Sequence, residues 1–174
     1  MNRRILLVLT VLLAMLGCAD SHSLKVNQLD SNVRLEPTSA VYIALSHDGQ
    51  YGSHYYAGSG KMLSQTIKSE LATTLNNVVI AKVPEDYNTA LDFASSRKFD
   101  YLVYPTILHW EDRATEWSAK PDKVEVKIVV VDAKSGAVVK SGIIDGKSGI
   151  ATFGGDKPQD LLPLPIKEFF TDML

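Results

Sequence analysis

The densest set of chemically capable side chains is LHWEDRATEWS, residues 108 to 118. If this stretch is extended, successive side chains alternate faces. His109, Glu111 and Arg113 then share one side, and Trp110 and Asp112 the other. His109 and Glu111 could work as an acid–base pair, as neighbours roughly 7 Å apart along one strand face. Glu111 and Asp112 point apart, which argues against two carboxylates acting on one bond. No serine or second cysteine is placed to complete a nucleophilic triad. The plainer reading is an exposed strand end, with Arg113 paired to a carboxylate and Trp110 and Trp117 covering an apolar rim. Tryptophan and arginine are enriched at interface hot spots, so partner contact outranks catalysis.

A second cluster is the loop HDGQYGSHYYAGSG, residues 47 to 60, long for a strand-to-helix connection. His47, Asp48 and His54 match no recognised metal-ligand spacing, so no metal is expected there. Tyr51, Tyr55 and Tyr56 read either as rings folded over a sheet or as part of a partner-contacting loop. The loop ends in AGSGK, which invites comparison with a phosphate-cradling loop. That loop needs glycine five places before its last glycine and a hydroxyl after the lysine, and Tyr55 and Met62 stand there. Nucleotide binding is set aside, and no cofactor is expected; the glycines serve the start of a helix.

The single cysteine, Cys18, poses a different chemistry. It ends an apolar run from Ile5 to Leu16 that follows the basic head Asn2-Arg3-Arg4. Twelve residues fall short of the about 20 that span a bilayer, so the run reads as a secretory signal peptide. With one cysteine in the chain, no internal disulfide can form. Ala14-Met15-Leu16-Gly17-Cys18 resembles the lipobox of bacterial lipoproteins, with Met15 where leucine is usual. The resemblance implies a diacylglyceryl thioether on Cys18, cleavage between Gly17 and Cys18, and acylation of the new amine. Two acyl chains already anchor a protein stably, and a third makes the anchor essentially permanent. Ala19 directly after the cysteine, with Asp20 one place later, favours the outer membrane, facing the periplasm, over the inner membrane.

The remainder is ordinary for one globular domain: 174 residues, 45% hydrophobic, 22% charged, net charge −2. Lysine and arginine are scattered, which leaves no basic footprint for nucleic acid. The chain divides into a signal peptide over 1–17, a lipidated flexible tether over 18–36 and a single domain over 37–174. A tether of about 18 residues spans roughly 24 Å, enough to let the domain stand off the membrane.

Several elements must position the two clusters. Ala40 to Leu45 is a buried strand, followed by a helix from about Gly60 to Asn76 that Ser59 can cap. Val78 to Val83 is a second strand, and Tyr87, Leu91 and Ala94 mark a second helix that starts near Asp86 or Asn88. Asp100 to Arg113 is a third strand, and Pro105 within it predicts an edge position or a bulge. Val124 to Asp132 and Ala137 to Ile144 form a hairpin in which Gly136 takes the left-handed conformation. Leu164 to Met173 is helical, with Pro165 in its first turn. The order β-α-β-α-β-β-β-α makes an α/β sandwich, a mixed sheet of about five strands with three helices.

With the lipobox, ILHWEDRATEWS and ATFGGDKPQDLLP together, the chain resembles a family of short bacterial lipoproteins, domain of unknown function 4823. The likeness covers nearly the whole mature chain and implies no activity and no catalytic residue. Element order and VVVDAKSGAVV are more weakly similar to the periplasmic α/β domain of curli-secretion and cell-wall-synthase-activator lipoproteins, which work by assembly and protein contact. The expected function is a membrane-anchored, non-catalytic binding module with an envelope protein as partner. Its expected surface is Trp110, Arg113 and Trp117 with Tyr51, Tyr55 and Tyr56. The rivals are an envelope hydrolase using His109 and Glu111, and a homo-oligomeric scaffold paired at an edge strand beside Pro105.

Overall fold

A computed structural model of the chain describes residues 20–30, 32–113, 120–149 and 157–174. Among these residues eight strands and three helices follow in the order β1 (Ser21–Gln28), β2 (Ala40–Leu45), β3 (Gly49–Tyr51), β4 (His54–Tyr56), α1 (Ser59–Leu71), β5 (Asn77–Pro84), α2 (Tyr87–Ser96), β6 (Tyr101–Glu111), β7 (Lys123–Asp132), β8 (Val138–Lys147) and α3 (Pro163–Phe170). A 3-10 turn, Pro158–Leu161, leads into α3. Six strands make one mixed sheet in the order β1-β8-β7-β6-β2-β5, and β3 and β4 form a separate hairpin. β2 runs parallel to both β5 and β6, as crossover helices require, whereas β6, β7, β8 and β1 are antiparallel.

The apolar periodicity of the helices decides the layers. α1 lays Leu63, Ile67 and Leu71 on one sheet face, and α3 adds Ile166, Phe169 and Phe170. Val126, Ile128 and Val130 of β7 meet them from the sheet. On the other face α2 is short and buries only Ala90 and Ala94, small residues that let it lie close over Tyr42, Leu102 and Val131. Asp86 caps it by accepting from Thr89 N–H at 3.0 Å. Beyond α2 this second face is polar: Lys123, Glu125 and Lys127 alternate with the buried Val124, Val126 and Ile128. Lys140 is fully buried beneath α3, paired with Asp172 and 4.9 Å from the Phe169 ring centre. Among the described residues, no helix is long and apolar enough to cross a membrane.

The β7–β8 hairpin has Gly136 at φ 72, the left-handed position its turn needs. α3 begins at Pro163, where a missing N–H costs nothing. Three expectations need correction. The stretch read as a flexible tether is, over Ser21–Gln28, an edge strand paired along its whole length with β8. Its polar sequence lacks an apolar signal because an edge strand is held by main-chain hydrogen bonds and one half-buried flank, here Leu24. The sheet therefore has six strands.

Pro105 is not on an outer edge: β6 lies between β7 and β2, and the outer strands are β1 and β5. It is tolerated because β2 pairs with β6 only through Val103, so Pro105 has a ladder neighbour on the β7 side alone. A register shift follows between Ile107 and His109. Finally, Ser59 does not cap α1. Gly58 is the N-cap residue at φ 88, and the Ser59 hydroxyl accepts from Gly49 N–H at 2.8 Å.

Candidate functional site

The register shift in β6 decides which side chains reach solvent. After it, Trp110 stands opposite Val124 and points into the core, 2% exposed, while His109 and Glu111 stand opposite Glu125 and Lys123 on the polar face. An extra residue in one strand re-aims everything beyond it. The hairpin β3–β4 then crosses over Trp110. Gly49 makes this crossing feasible, since a Cβ there would lie 2.5 Å from Trp110 Cβ. The crossing delivers Tyr51 to His109, ring centres 4.9 Å apart and edge-on at 66°.

Asp48 holds that hairpin in place. Its Oδ1 accepts from Gly60 N–H at 2.8 Å, and its Oδ2 accepts from Gly58 N–H at 3.0 Å and from the Tyr55 hydroxyl at 2.9 Å. One carboxylate thus ties the turn before the hairpin to the first N–H groups of α1, where negative charge is favoured. Partial burial would raise its pKa, but the backbone bonds from Gly58 and Gly60, with Tyr55, outweigh that and hold it below the ordinary value.

Glu111 is the other organising carboxylate. Its side chain is nearly enclosed, at 4% exposure. Oε2 lies 3.3 Å from His109 Nε2, and Oε1 is paired with the Arg113 guanidinium. Burial would push this carboxyl up; the His109 and Arg113 hydrogen bonds, and then their charges, overcome it and hold it down. Glu111 is therefore ionised at neutral pH and both of its oxygens are engaged. Arg113 N–H donates to Asp122, while Arg113 Nε is buried with no acceptor among the described residues. These groups border an open cleft of about 270 Å³, whose walls are Tyr51, His109, Glu111, Arg113, Lys123 and Asp145 with neighbouring residues of β7. Among the described residues no serine, threonine or cysteine lines it. Among the described residues no cluster could hold a metal ion.

The cleft can hold a fixed negative charge, orient an imidazole and offer a guanidinium N–H beside a tyrosine edge. That is equipment for recognising a polar group. A carboxylate held low is a poor general acid, and among the described residues no nucleophile adjoins His109.

Comparison with known proteins places this geometry in a family. The family model described as domain of unknown function DUF4823 matches residues 33–173. The chain belongs to the DUF4823 family. No curated protein matches it. Among solved structures, the PelC dodecamer from Paraburkholderia phytofirmans is 15% identical with a TM-score of 0.66, over 88% of this chain and 97% of that one. A leucine-to-methionine variant of that dodecamer gives 14% and 0.67 over 88% and 98%. Protein XCC0632 from Xanthomonas campestris, of family DUF330, gives 12% and 0.51 over 81% and 92%. At these identities the likeness is one of fold.

In this DUF4823 chain the residues singled out from sequence separate into four groups. Tyr51, Arg113, His109 and Glu111 meet at the cleft. Tyr55 is exposed but turned to Asp48, and Tyr56 is half-buried against the main core. Trp110 is a correction: it is a core side chain, because the register shift turns it inward, and it offers no surface to a partner. Trp117, Gly17 and Cys18 lie outside the described residues. Sequence reading missed Lys123 and Asp145, which reach the cleft only through strand pairing, and Asp48 as an organiser of the loop. Aspartate ten and twelve residues before two glycines at a helix start was the only available sign of the latter.

Proposed function

We propose that the chain is a lipoprotein, anchored through Cys18 after cleavage at Gly17, whose domain faces the periplasm from the outer membrane. There it binds another envelope component and performs no chemistry. The observation that carries the binding reading is Glu111, buried and ionised between His109 and Arg113 in an open cleft that no nucleophile lines among the described residues. A site for bond cleavage keeps a proton donor or attacking group free, whereas here both carboxylate oxygens of Glu111 are engaged, by His109 and by Arg113. Tyr51 and Arg113 supply the aromatic and guanidinium groups that dominate contact energies, and Trp117 belongs to the same proposed surface by its place in the sequence. The test is crosslinking in intact cells with Tyr51→Ala and Arg113→Ala. Loss of a specific partner is expected, and retention of every partner by the double variant overturns the reading.

Self-assembly is the second reading, supported by the likeness of fold to a protein solved as a dodecamer. The outer strand β5 would serve it, with Val79 and Val83 exposed. Native mass of the purified protein decides: a single closed oligomer supports this reading, and a monomer at all concentrations removes it.

A further inference from the structure

We infer that the end of the sheet carrying Lys123 and Lys147 rests on the phospholipid headgroups of the membrane that holds Cys18. The inference rests on the reading of Cys18 as lipidated and adds an orientation to it. Two residues, Ala19 and Asp20, separate Cys18 from the first residue of β1. From the acylated residue to Asp20 the chain can reach about 7 Å at most. β1 is no tether: it is paired with β8 from Ser21↔Lys147 onward, and Asp20 itself accepts from Gly149 N–H at 3.0 Å. An anchor at Cys18 therefore brings this end of the sheet to the bilayer surface.

That end is built as one piece. Ser148 N–H donates to the Asp122 carbonyl at 3.1 Å, Asp122 N–H donates to the Ser148 hydroxyl at 2.9 Å, and the Asp122 carboxylate accepts from Arg113 N–H. The ends of β1, β8, β7 and β6 are thus joined in a row. Across it run Ser21, Lys147, Lys123 and Glu111 in register. Lys147 and Lys123 are directly opposite, both exposed, and neither has an ion-pair partner among the described residues. Like charges face to face cost stability, which a layer of lipid phosphates would relieve.

Among the described residues the carboxylates in the end row do not cancel them. Asp20, Asp122 and Glu111 are bound within the protein, as described, leaving half-buried Asp112. Glu125 and Asp145 stand opposite each other two residues farther along the strands, about 7 Å from the end row. Three strand spacings, about 14 Å, separate β1 from β6. The cleft of Glu111 and Arg113 therefore opens beside the headgroups, and its partner is met at the membrane surface.

The test uses the full lipidated chain in vesicles of phosphatidylethanolamine and phosphatidylglycerol. Lysines are acetylated with a water-soluble reagent and read one by one by mass spectrometry, against the same protein in neutral detergent. Lys123 and Lys147 should be protected about fivefold, and less in vesicles of phosphatidylcholine alone. Lys98 and Lys134, which line a cleft at the far end of the sheet, should not change. Unprotected Lys123 and Lys147 in protein that stays with the vesicles and carries acylated Cys18 would overturn the docking and leave the anchor standing. Equal protection in phosphatidylcholine would overturn the role given to charge. Bare Cys18 with release from the vesicles would overturn the anchor, and the docking with it.

Discussion

Asp48 and Glu111 are both carboxylates held below their ordinary pKa, yet they differ in what holds them. Asp48 is satisfied mainly by backbone N–H groups, those of Gly58 and Gly60, which cannot leave without unmaking the start of α1. Glu111 is satisfied by two side chains, His109 and Arg113, each about three-tenths exposed and able to turn toward a ligand. The first arrangement is architecture: it fixes the β3–β4 hairpin and so places Tyr51. The second is exchangeable, because an incoming polar group can take over one of its partners. A depressed pKa alone does not distinguish a structural carboxylate from one at a binding surface. The identity of its donors does.

The sharpest way to break the Asp48 side is Gly60→Val. Its Cβ would run into the Ser46 backbone carbonyl, which closes the end of β2 and cannot retreat. A loss of about 3 kcal/mol is expected, read as a lowered urea midpoint with unchanged slope. Asp48→Asn should cost about 1–2 kcal/mol, since one side-chain atom becomes a donor facing donors at Gly58 and Tyr55. It should also free the hairpin, seen as faster amide exchange over residues 49–56.

Glu111→Gln should cost about 1–2 kcal/mol, because the partly exposed Arg113 guanidinium can find water, while partner crosslinking falls sharply. A stability loss without any change in crosslinking would place Glu111 with Asp48 as architecture. The pH dependence follows in sign. Both carboxyls have folded values below their unfolded ones, so their stabilisation is complete above the ordinary values of 3.8 and 4.5 and is lost as pH falls through the folded values. Each variant should flatten its share of the acid limb of a stability–pH curve. The smallest effect belongs to Tyr55→Phe, about 0.5 kcal/mol, since that hydroxyl is an exposed third donor to Asp48. A loss as large as that of Asp48→Asn would move Tyr55 from accessory to keystone.

Much of the fold was legible because its signals are local. The Ala40–Leu45 run, the spacing of Ile67, Leu71 and Leu75, the Asp86 cap, the turn at Gly136 and Pro165 in the first turn of α3 each act within a few residues. What escaped depends on a neighbour distant in sequence. β1 is a strand because β8 offers an unpaired edge, and SHSLKVNQ has little in it to say so. The loop after β2 became a hairpin because Asp48 closes it onto α1 from ten and twelve residues away. Alternation alone put Trp110 on the side away from His109 and Glu111, as the strand pairing has it. Only the core under Gly49 shows which side is inside.

By itself, then, the amino-acid sequence determined the order of the main sheet strands and helices from β2 onward, the buried stripe of α1 and the family. These follow from periodicity, turn chemistry and short motifs, all properties of a few consecutive residues. The tertiary structure decided that β1 joins the sheet, that Trp110 is core, and that Tyr51, Glu111, Arg113 and Lys123 share a cleft at one end of it. Strand register and burial are set by pairing between segments that the chain keeps far apart, so no local stretch encodes them.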